Sequence, residues 1–372
     1  MKRILHVVGR LDRGGAETWL VQVLRHIDRE KYQMDFLVHT TDAGAYDAEV
    51  LSLGARIIPC LAYTNPMRYA QNFLRILRHY GPYDVVHSHV HHFSGYVMLL
   101  AAMGGVPTRI SHGHTARLMR ESARTRWRKT YDATMRYLVA RFASAGIAVS
   151  QDSADAFFPP DWRNNAKWSV LYTGIDLSPF GQPVNRDEIR KGLGIPLHAV
   201  VVGHVGRFVP EKNHLFFVEI AREFAQIDER AFFLLVGDGD LRPAVEAQVQ
   251  SFGLQGRFKF TGMRNDIPRL MMGAMDILLL PSRFEGIPLT LLEGQASGLP
   301  CLISDVVTTE CDLVSGLIER ESLTVSAQAW AKRLSRMSRP LETGDRKLTL
   351  PEMCSRSIQE SGSDLLEWYN AR

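Results

Sequence analysis

Residues 199–224 read AVVVGHVGRFVPEKNHLFFVEIAREF. An apolar run of strand length ends in Gly203, Gly206 and Arg207, and an amphipathic helix follows. The same order opens the chain: an apolar run at 4–8, the loop GRLDRGG, then a helix over 16–27. Between the two openings the pattern alternates: strands at 34–38, 84–87 and 108–110, helices at 69–79 and 95–103. A basic helical region covers 117–141, and 146–149 reads as the last strand of this half. The second half continues with 232–236 before GDGD, 258–260 before TGMRND, 276–280, and 300–303. Strand–helix alternation of this kind predicts parallel sheets built from βαβ units. A chain of 372 residues is too long for one ordinary core. The expected fold class is therefore α/β, with two Rossmann-like doubly wound domains facing a central cleft. Their expected spans are 1–175 and 184–350, joined by LYTGIDLSPFGQP at 171–183. A C-terminal helix at about 355–372 is expected to pack back on the first domain. Ligands of such folds sit at the carboxyl ends of the strands.

Composition excludes several classes. Hydrophobic content of 45% with 23% charged residues is that of a globular protein, and a net charge of +4 gives no general nucleic-acid footprint. Cys60, Cys301, Cys311 and Cys354 form no CxxC pair, which suits reduced thiols and a cytoplasmic location. The N-terminal apolar run meets Arg10, Asp12 and Arg13 at once and does not read as a leader, and no run reaches membrane-spanning length.

The chemistry gathers after the strands of the second half. Residues 283–300, RFEGIPLTLLEGQASGLP, follow an apolar strand and carry Glu285 in the loop and Glu293 in the next helix. Pro288 is expected as the first helical residue, where its missing N–H costs nothing. The amides of Gly286, Ile287 and Leu289 would then make an anion site at the helix N-terminus. Two carboxylates flanking such a site match a ligand with a polyol at each end and a diphosphate between. Arg207 and Lys212 add two cations. The alternatives are a capping glutamate, a solvated helix residue, and a surface charge pair with Glu211. No Asp-x-Asp loop offers itself for Mg²⁺; Asp238-Gly-Asp240 reads better as close backbone packing.

VGRFVPEKNH, LLVGDGDLR, FTGMRNDIP, LLLPSRFEGIPLTLLEGQASGLP and LISDVV, with GGAET, RISHGHTAR and TGIDLSPF, resemble the retaining glycosyltransferases of the GT-B fold in family 4. Within it, the likeness is to bacterial exopolysaccharide and capsule enzymes. It spans residue 1 to about 335. It implies sugar transfer from a nucleotide diphosphate, a UDP-sugar or GDP-mannose, to a saccharide or polyprenyl-linked saccharide. By this resemblance Glu285 holds donor-sugar hydroxyls, Glu293 the ribose hydroxyls, and Arg207 and Lys212 the diphosphate. Met263 and Arg264 meet the base, with Gly206, Gly237 and Gly262 in the surrounding loops. Gly14 and Gly15 close over the phosphates, and His114 faces donor sugar and acceptor. No metal or other cofactor is expected: Arg207, Lys212 and helix amides stabilise the leaving group. Retention then needs no protein nucleophile, although Glu285 as a nucleophile remains a rival. A sugar-nucleotide epimerase of similar fold and a catalytically silent nucleotide-sugar sensor stay open. An oxidoreductase is disfavoured, because GRLDRGG lacks the G-x-G-x-x-G spacing.

Two weaker signals remain. His87, His89 and His91 in HSHVHH alternate as metal ligands on a strand do; lining a cleft wall is the plainer expectation. Residues 117–141 carry eight cations and two acids, with Trp127, Tyr131, Met135 and Leu138 at helical spacing. This is either a basic amphipathic helix on the anionic inner face of the cytoplasmic membrane or a solvated helix whose apolar stripe packs on its own domain. Aromatics are too sparse for a nucleic-acid platform.

Overall fold

A strand buried on both faces of a sheet has no polar side to show, so its sequence is a continuous apolar run. Val200–Val205, Ala231–Val236 and Ile277–Leu280 are such runs, with every residue buried. The computed structural model describes residues 1–114, 126–338 and 350–371. Among them are two parallel sheets, one in each of two units: Met1–Gly174 with Arg356–Arg372, and Ile175–Ser355.

The first sheet contains β1 (Lys2–Val8), β2 (Tyr32–Val38), β3 (Ile57–Pro59), β4 (Val85–Ser88), β5 (Thr108–Gly113), β6 (Ala145–Ala148) and β7 (Trp168–Val170), in the order β3-β2-β1-β4-β5-β6-β7. The second contains β8 (Val200–Val205), β9 (Ala231–Val236), β10 (Phe258–Phe260), β11 (Ile277–Leu280), β12 (Cys301–Ser304) and β13 (Ile318–Glu321), in the order β10-β9-β8-β11-β12-β13. All named pairs are parallel. In each sheet the order reverses beside the first strand, between β1 and β4 and between β8 and β11. The loops leaving those strands diverge to opposite faces and open a crevice at the strand ends. Gly14, Arg207, Lys212 and Glu285 all lie on such loops.

Each unit has its own core. Val7, Leu37, Phe73, Val86 and Trp168 belong to the first; Val202, Phe217, Phe233, Leu279 and Trp330 to the second. The division between units falls between Gly174 and Ile175, inside the Gly- and Pro-bearing segment. The C-terminal helix Ile358–Asn370 lies with the first unit. It packs on the helix Gly15–His26, where Trp19 Nε1 donates to Ser361 Oγ at 3.2 Å. Behind it, Arg356 lies 3.6 Å from the ring centre of Tyr172.

One strand expectation fails. Residues 146–149 are not the end of the first sheet, because β7 follows and pairs with β6. Sequence reading passed over β3, β7 and β13. Each has three or four residues, and β13 is a half-exposed, charged edge, Ile-Glu-Arg-Glu, with no apolar run to find.

Candidate functional site

In the second unit, the loops after β8 and β11 are bonded to each other. Lys212 Nζ meets Glu285 Oε1 at 2.6 Å. Both side chains are largely buried, at 20% and 9% exposure, so the pair is held with little solvent screening. The Arg283 backbone N–H donates to Glu211 O at 2.7 Å, and Asn213 Nδ2 donates to Pro281 O at 3.0 Å. Asn213 Oδ1 in turn accepts from Arg283 Nε at 3.1 Å. Asn213 takes a left-handed φ of 57° immediately before the helix His214–Ile227. Asparagine tolerates that conformation, and its amide can serve both loops at once. Sequence reading missed this residue; the signal was an asparagine directly ahead of a helix.

Arg207 is exposed and makes no ion pair with any described residue, unlike Lys212. The surface pairing of Lys212 with Glu211 gives way to the pairing with Glu285. The backbone around these cations is tightly stacked. A side chain on Gly237, at φ +133°, would put its Cβ 2.0 Å from Gly206 O. Gly237 N donates to Gly262 O at 2.9 Å, and Gly262 has φ +66°. Asp238 accepts from Gly239 N and from Arg242 Nη1, which makes it part of that packing. Beyond Gly262, Met263 is exposed and Arg264 pairs with Asp266 at 2.7 Å.

The helix Leu289–Ala296 starts one residue later than expected. Pro288 is its N-cap, with ψ 110°, and not the first helical residue. Its carbonyl accepts from Leu291 N, and its side chain offers no cap. Gly286 and Ile287 therefore lie in the loop and Leu289 is the first helical residue. Pro288 has no N–H and the Leu291 amide is taken, which leaves the amides of Leu289 and Thr290 as orphans of the kind that receive anions. Ser282 Oγ and Thr290 Oγ1 are buried near this turn without a hydrogen-bond partner. Neither stood out in the sequence. Glu293 lies within the helix, and burial pushes its carboxyl up to about 8.

In the first unit, Gly14 caps the helix Gly15–His26 after β1. A Cβ on Gly14 would meet Glu17 Oε2, whereas one on Gly15 would meet nothing within 4 Å. His114 follows β5. Its Nε2 lies 2.8 Å from His89 Nδ1, and its ring stacks on His112 at 4.1 Å. Burial lowers its pKa to about 3. The run His87, His89, His91 does not act as a set. His87 and His89 are buried beside His6, while His91, with φ 50°, is exposed and stacks against Phe157. The expected open wall is thus a buried cluster. Nitrogens of His6, His87 and His89 lie within 4.8 Å of one another, as do those of His89, His112 and His114.

Of residues 117–141, those up to 125 lie outside the described residues. The helix Arg126–Phe142 packs against the helix Ser94–Met103, with the Met135 backbone closing on Gly95. Val139 is buried and Met135 and Leu138 are half-buried, but Trp127 is 72% exposed beside Arg126, Arg128 and Lys129. The stripe is therefore divided: its far part packs and its near end is open. Among the described residues no helix is long and apolar enough to cross a membrane.

Comparison with known proteins agrees with this layout. Residues 13–179 match the profile described as Glycosyltransferase Family 4, and residues 199–339 that of Glycosyl transferases group 1. EpsF of Bacillus subtilis (strain 168), which carries a glycosyltransferase name, is 34% identical over 347 residues, covering 90% of this chain and 87% of that protein. The UDP-Gal:alpha-D-GlcNAc-diphosphoundecaprenol alpha-1,3-galactosyltransferase of Escherichia coli is 30% identical over 62% of this chain and 59% of its own. The capsular polysaccharide glycosyltransferase CapH of Staphylococcus aureus is 24% identical, with 91% of each chain covered. Among solved structures, Anabaena HepE in complex with UDP and glucose superposes with a TM-score of 0.82 at 19% identity, covering all of both chains. With two parallel sheets of switch-point order and a near full-length relative at this identity, the chain belongs to family 4 of the GT-B glycosyltransferases.

Proposed function

We propose that this enzyme transfers a hexose from a UDP-sugar, with retention at the anomeric carbon and without a metal, to a lipid-linked saccharide. The observation that carries the reading is the Lys212–Glu285 pair at 2.6 Å, which joins the loops after β8 and β11 at the head of the helix Leu289–Ala296. A cation, an exposed arginine and orphan helix amides together suit a diphosphate leaving group. The paired Glu285 is then placed to accept from sugar hydroxyls, and Glu293 from the ribose. Met263 and Arg264 would border the base, and Gly14 and Gly15 would admit the phosphates closely. His114 would face the transferred sugar. UDP and glucose in the HepE structure, and the UDP-galactose donor and diphosphoundecaprenol acceptor named for the E. coli relative, support the donor and acceptor classes.

Retention in this reading uses the leaving phosphate. The acceptor hydroxyl attacks the anomeric carbon on the face the diphosphate leaves, and its proton passes to the departing phosphate oxygen. Arg207 and Lys212 balance the charge released. Full activity is expected in EDTA, with the product's anomeric configuration equal to the donor's by proton NMR. Complete loss in EDTA restored by Mg²⁺ or Mn²⁺, or an inverted product, overturns this mechanism.

The acceptor class gives the helix Arg126–Phe142 a role as a membrane-docking face. It carries five cations and one acid, with Trp127 open at its near end. Each cation near an anionic surface adds about 1 kcal/mol, fading within a Debye length. Replacing Arg126, Arg128 and Lys129 by serine is expected to release the protein from anionic vesicles and to spare UDP binding. Equal sedimentation of the wild type with neutral and anionic vesicles at low salt removes the membrane role.

A further inference from the structure

Six buried or half-buried groups of the first unit form one unbroken line of contacts. His114 Nε2 lies 2.8 Å from His89 Nδ1, and His89 Nε2 lies 3.1 Å from His6 Nδ1. His6 Nε2 lies 3.5 Å from Tyr369 Oη. The same hydroxyl lies 2.8 Å from His87 Nδ1, and His87 Nε2 lies 3.2 Å from His112 Nδ1. His6 of β1, His87 of β4, His112 of β5 and the loop residues His89 and His114 are thereby linked through one tyrosine of the C-terminal helix. His112 Nε2 ends the line, buried and without a hydrogen-bond partner.

Burial lowers the pKa of every one of these imidazoles, those of His6 and His114 to about 3, so all five rings are neutral near pH 7. It also raises the Tyr369 phenol well above its ordinary value, so the hydroxyl keeps its proton. A neutral imidazole has one N–H and one bare nitrogen. Each contact in the line joins the δ nitrogen of one ring to the ε nitrogen of another, or a ring nitrogen to the hydroxyl. Satisfying all of them, with the buried Tyr369 proton also given to one of its two rings, leaves two arrangements. In one, all five rings carry the proton on Nε2 and Tyr369 donates to His87. In the other, all five carry it on Nδ1 and Tyr369 donates to His6. No ring can change alone without two donors or two bare nitrogens facing each other.

The first arrangement leaves the His112 Nε2–H buried without an acceptor; the 2.8 Å contact is set against that cost and favours it. That distance is normal for an O–H donor, whereas 3.5 Å is at the limit of a hydrogen bond. A phenol is a much stronger acid than a neutral imidazole N–H, and it makes its best bond as donor over the shorter contact. We propose that Tyr369, through His6 and His89, locks His114 as the Nε2–H tautomer, so that His114 presents a bare Nδ1 to its ligand. His114 is then a hydrogen-bond acceptor for a sugar hydroxyl and not a proton donor. Tyr369, His6 and His89 are positioning residues, acting only through His114. The functional half of the inference rests on the reading that His114 faces the sugar.

The test is long-range proton–nitrogen NMR on the full chain labelled with ¹⁵N-histidine, with rings assigned by single His→Gln variants. Five Nε2–H patterns, unchanged from pH 6 to 9, are expected for His6, His87, His89, His112 and His114. A Nδ1–H or imidazolium pattern at any of them overturns the lock. So does displacement of all five signals by one equivalent of Zn²⁺ at unchanged fold, which would make the cluster a metal centre instead. In Tyr369→Phe, His114 is expected to show averaged tautomers, with kcat about tenfold lower, as when a fixed imidazole loses its orienting bond, and UDP affinity within twofold. A folded Tyr369→Phe with the wild-type His114 pattern overturns the role of Tyr369. Should that variant not fold, the wild-type spectrum alone still decides. His114→Gln at wild-type turnover rejects the sugar-facing reading and leaves the tautomer lock standing; mixed tautomers in the wild type do the reverse.

Discussion

Replacing Lys212 by alanine is expected to reduce turnover of the donor by about 10²–10³-fold, roughly 3–4 kcal/mol of lost transition-state stabilisation. The diphosphate gains negative charge as the sugar departs, and a preorganised cation counts most at that moment. Lys212 is preorganised by Glu285 at 2.6 Å and by the loop that Asn213 pins. The substitution also strands a carboxylate only 9% exposed, which costs stability on the order of 3 kcal/mol before solvent relaxation. The two effects separate in Lys212→Ala combined with Glu285→Gln, which should recover melting temperature and not turnover. Arg207→Ala, at an exposed residue with no ion pair among the described residues, should lower UDP affinity with little change in melting temperature. UDP affinity and rate both within twofold of wild type in the Lys212 variant would reject the phosphate role.

Glu293→Ala is expected to weaken UDP binding by about 10–100-fold, as for one hydrogen bond to a charged acceptor. Glu285→Ala should leave UDP binding nearly intact and reduce turnover of the sugar nucleotide; the reverse pattern exchanges their roles. The raised pKa of Glu293 adds a pH signature. Burial moves its carboxyl from 4.5 to about 8, so the folded protein holds a proton that the unfolded chain releases between those values. Stability from this group is complete below about pH 4.5 and is lost as pH rises through about 8. Glu293→Gln should therefore become progressively more stable than wild type over that window, by on the order of 2 kcal/mol after screening. Ribose hydroxyls donate best to the ionised form. Uridine affinity should accordingly rise from pH 6 to 9 in the wild type and stay flat in Glu293→Gln. A wild-type affinity independent of pH sets the ribose role aside.

The sequence alone determined the central strands of the second sheet, because strands buried on both faces must be nearly continuous apolar runs, and 199–205, broken only by His204, 231–236 and 277–280 are such runs. It also placed Arg207, Lys212 and Glu285 after strands and Glu293 in the helix that follows, since the loops of a doubly wound sheet are where charge can gather. Short edge strands escaped it, as β13 shows, because an edge has neither a run nor an alternation. The left-handed asparagine Asn213, the partner of Lys212 and the start of the helix at Leu289 were decided only by tertiary geometry. The histidines show the difference most clearly. His6, His87, His112 and Tyr369 stand up to 363 residues apart in the chain, and nothing local in the sequence joins them. Parallel pairing puts His6 beside His87 and His87 beside Ile110, two residues before His112, and the C-terminal helix delivers the tyrosine. Local sequence encodes period and burial; which protons face each other is set by sheet register and helix docking, and those exist only once the chain has closed on itself.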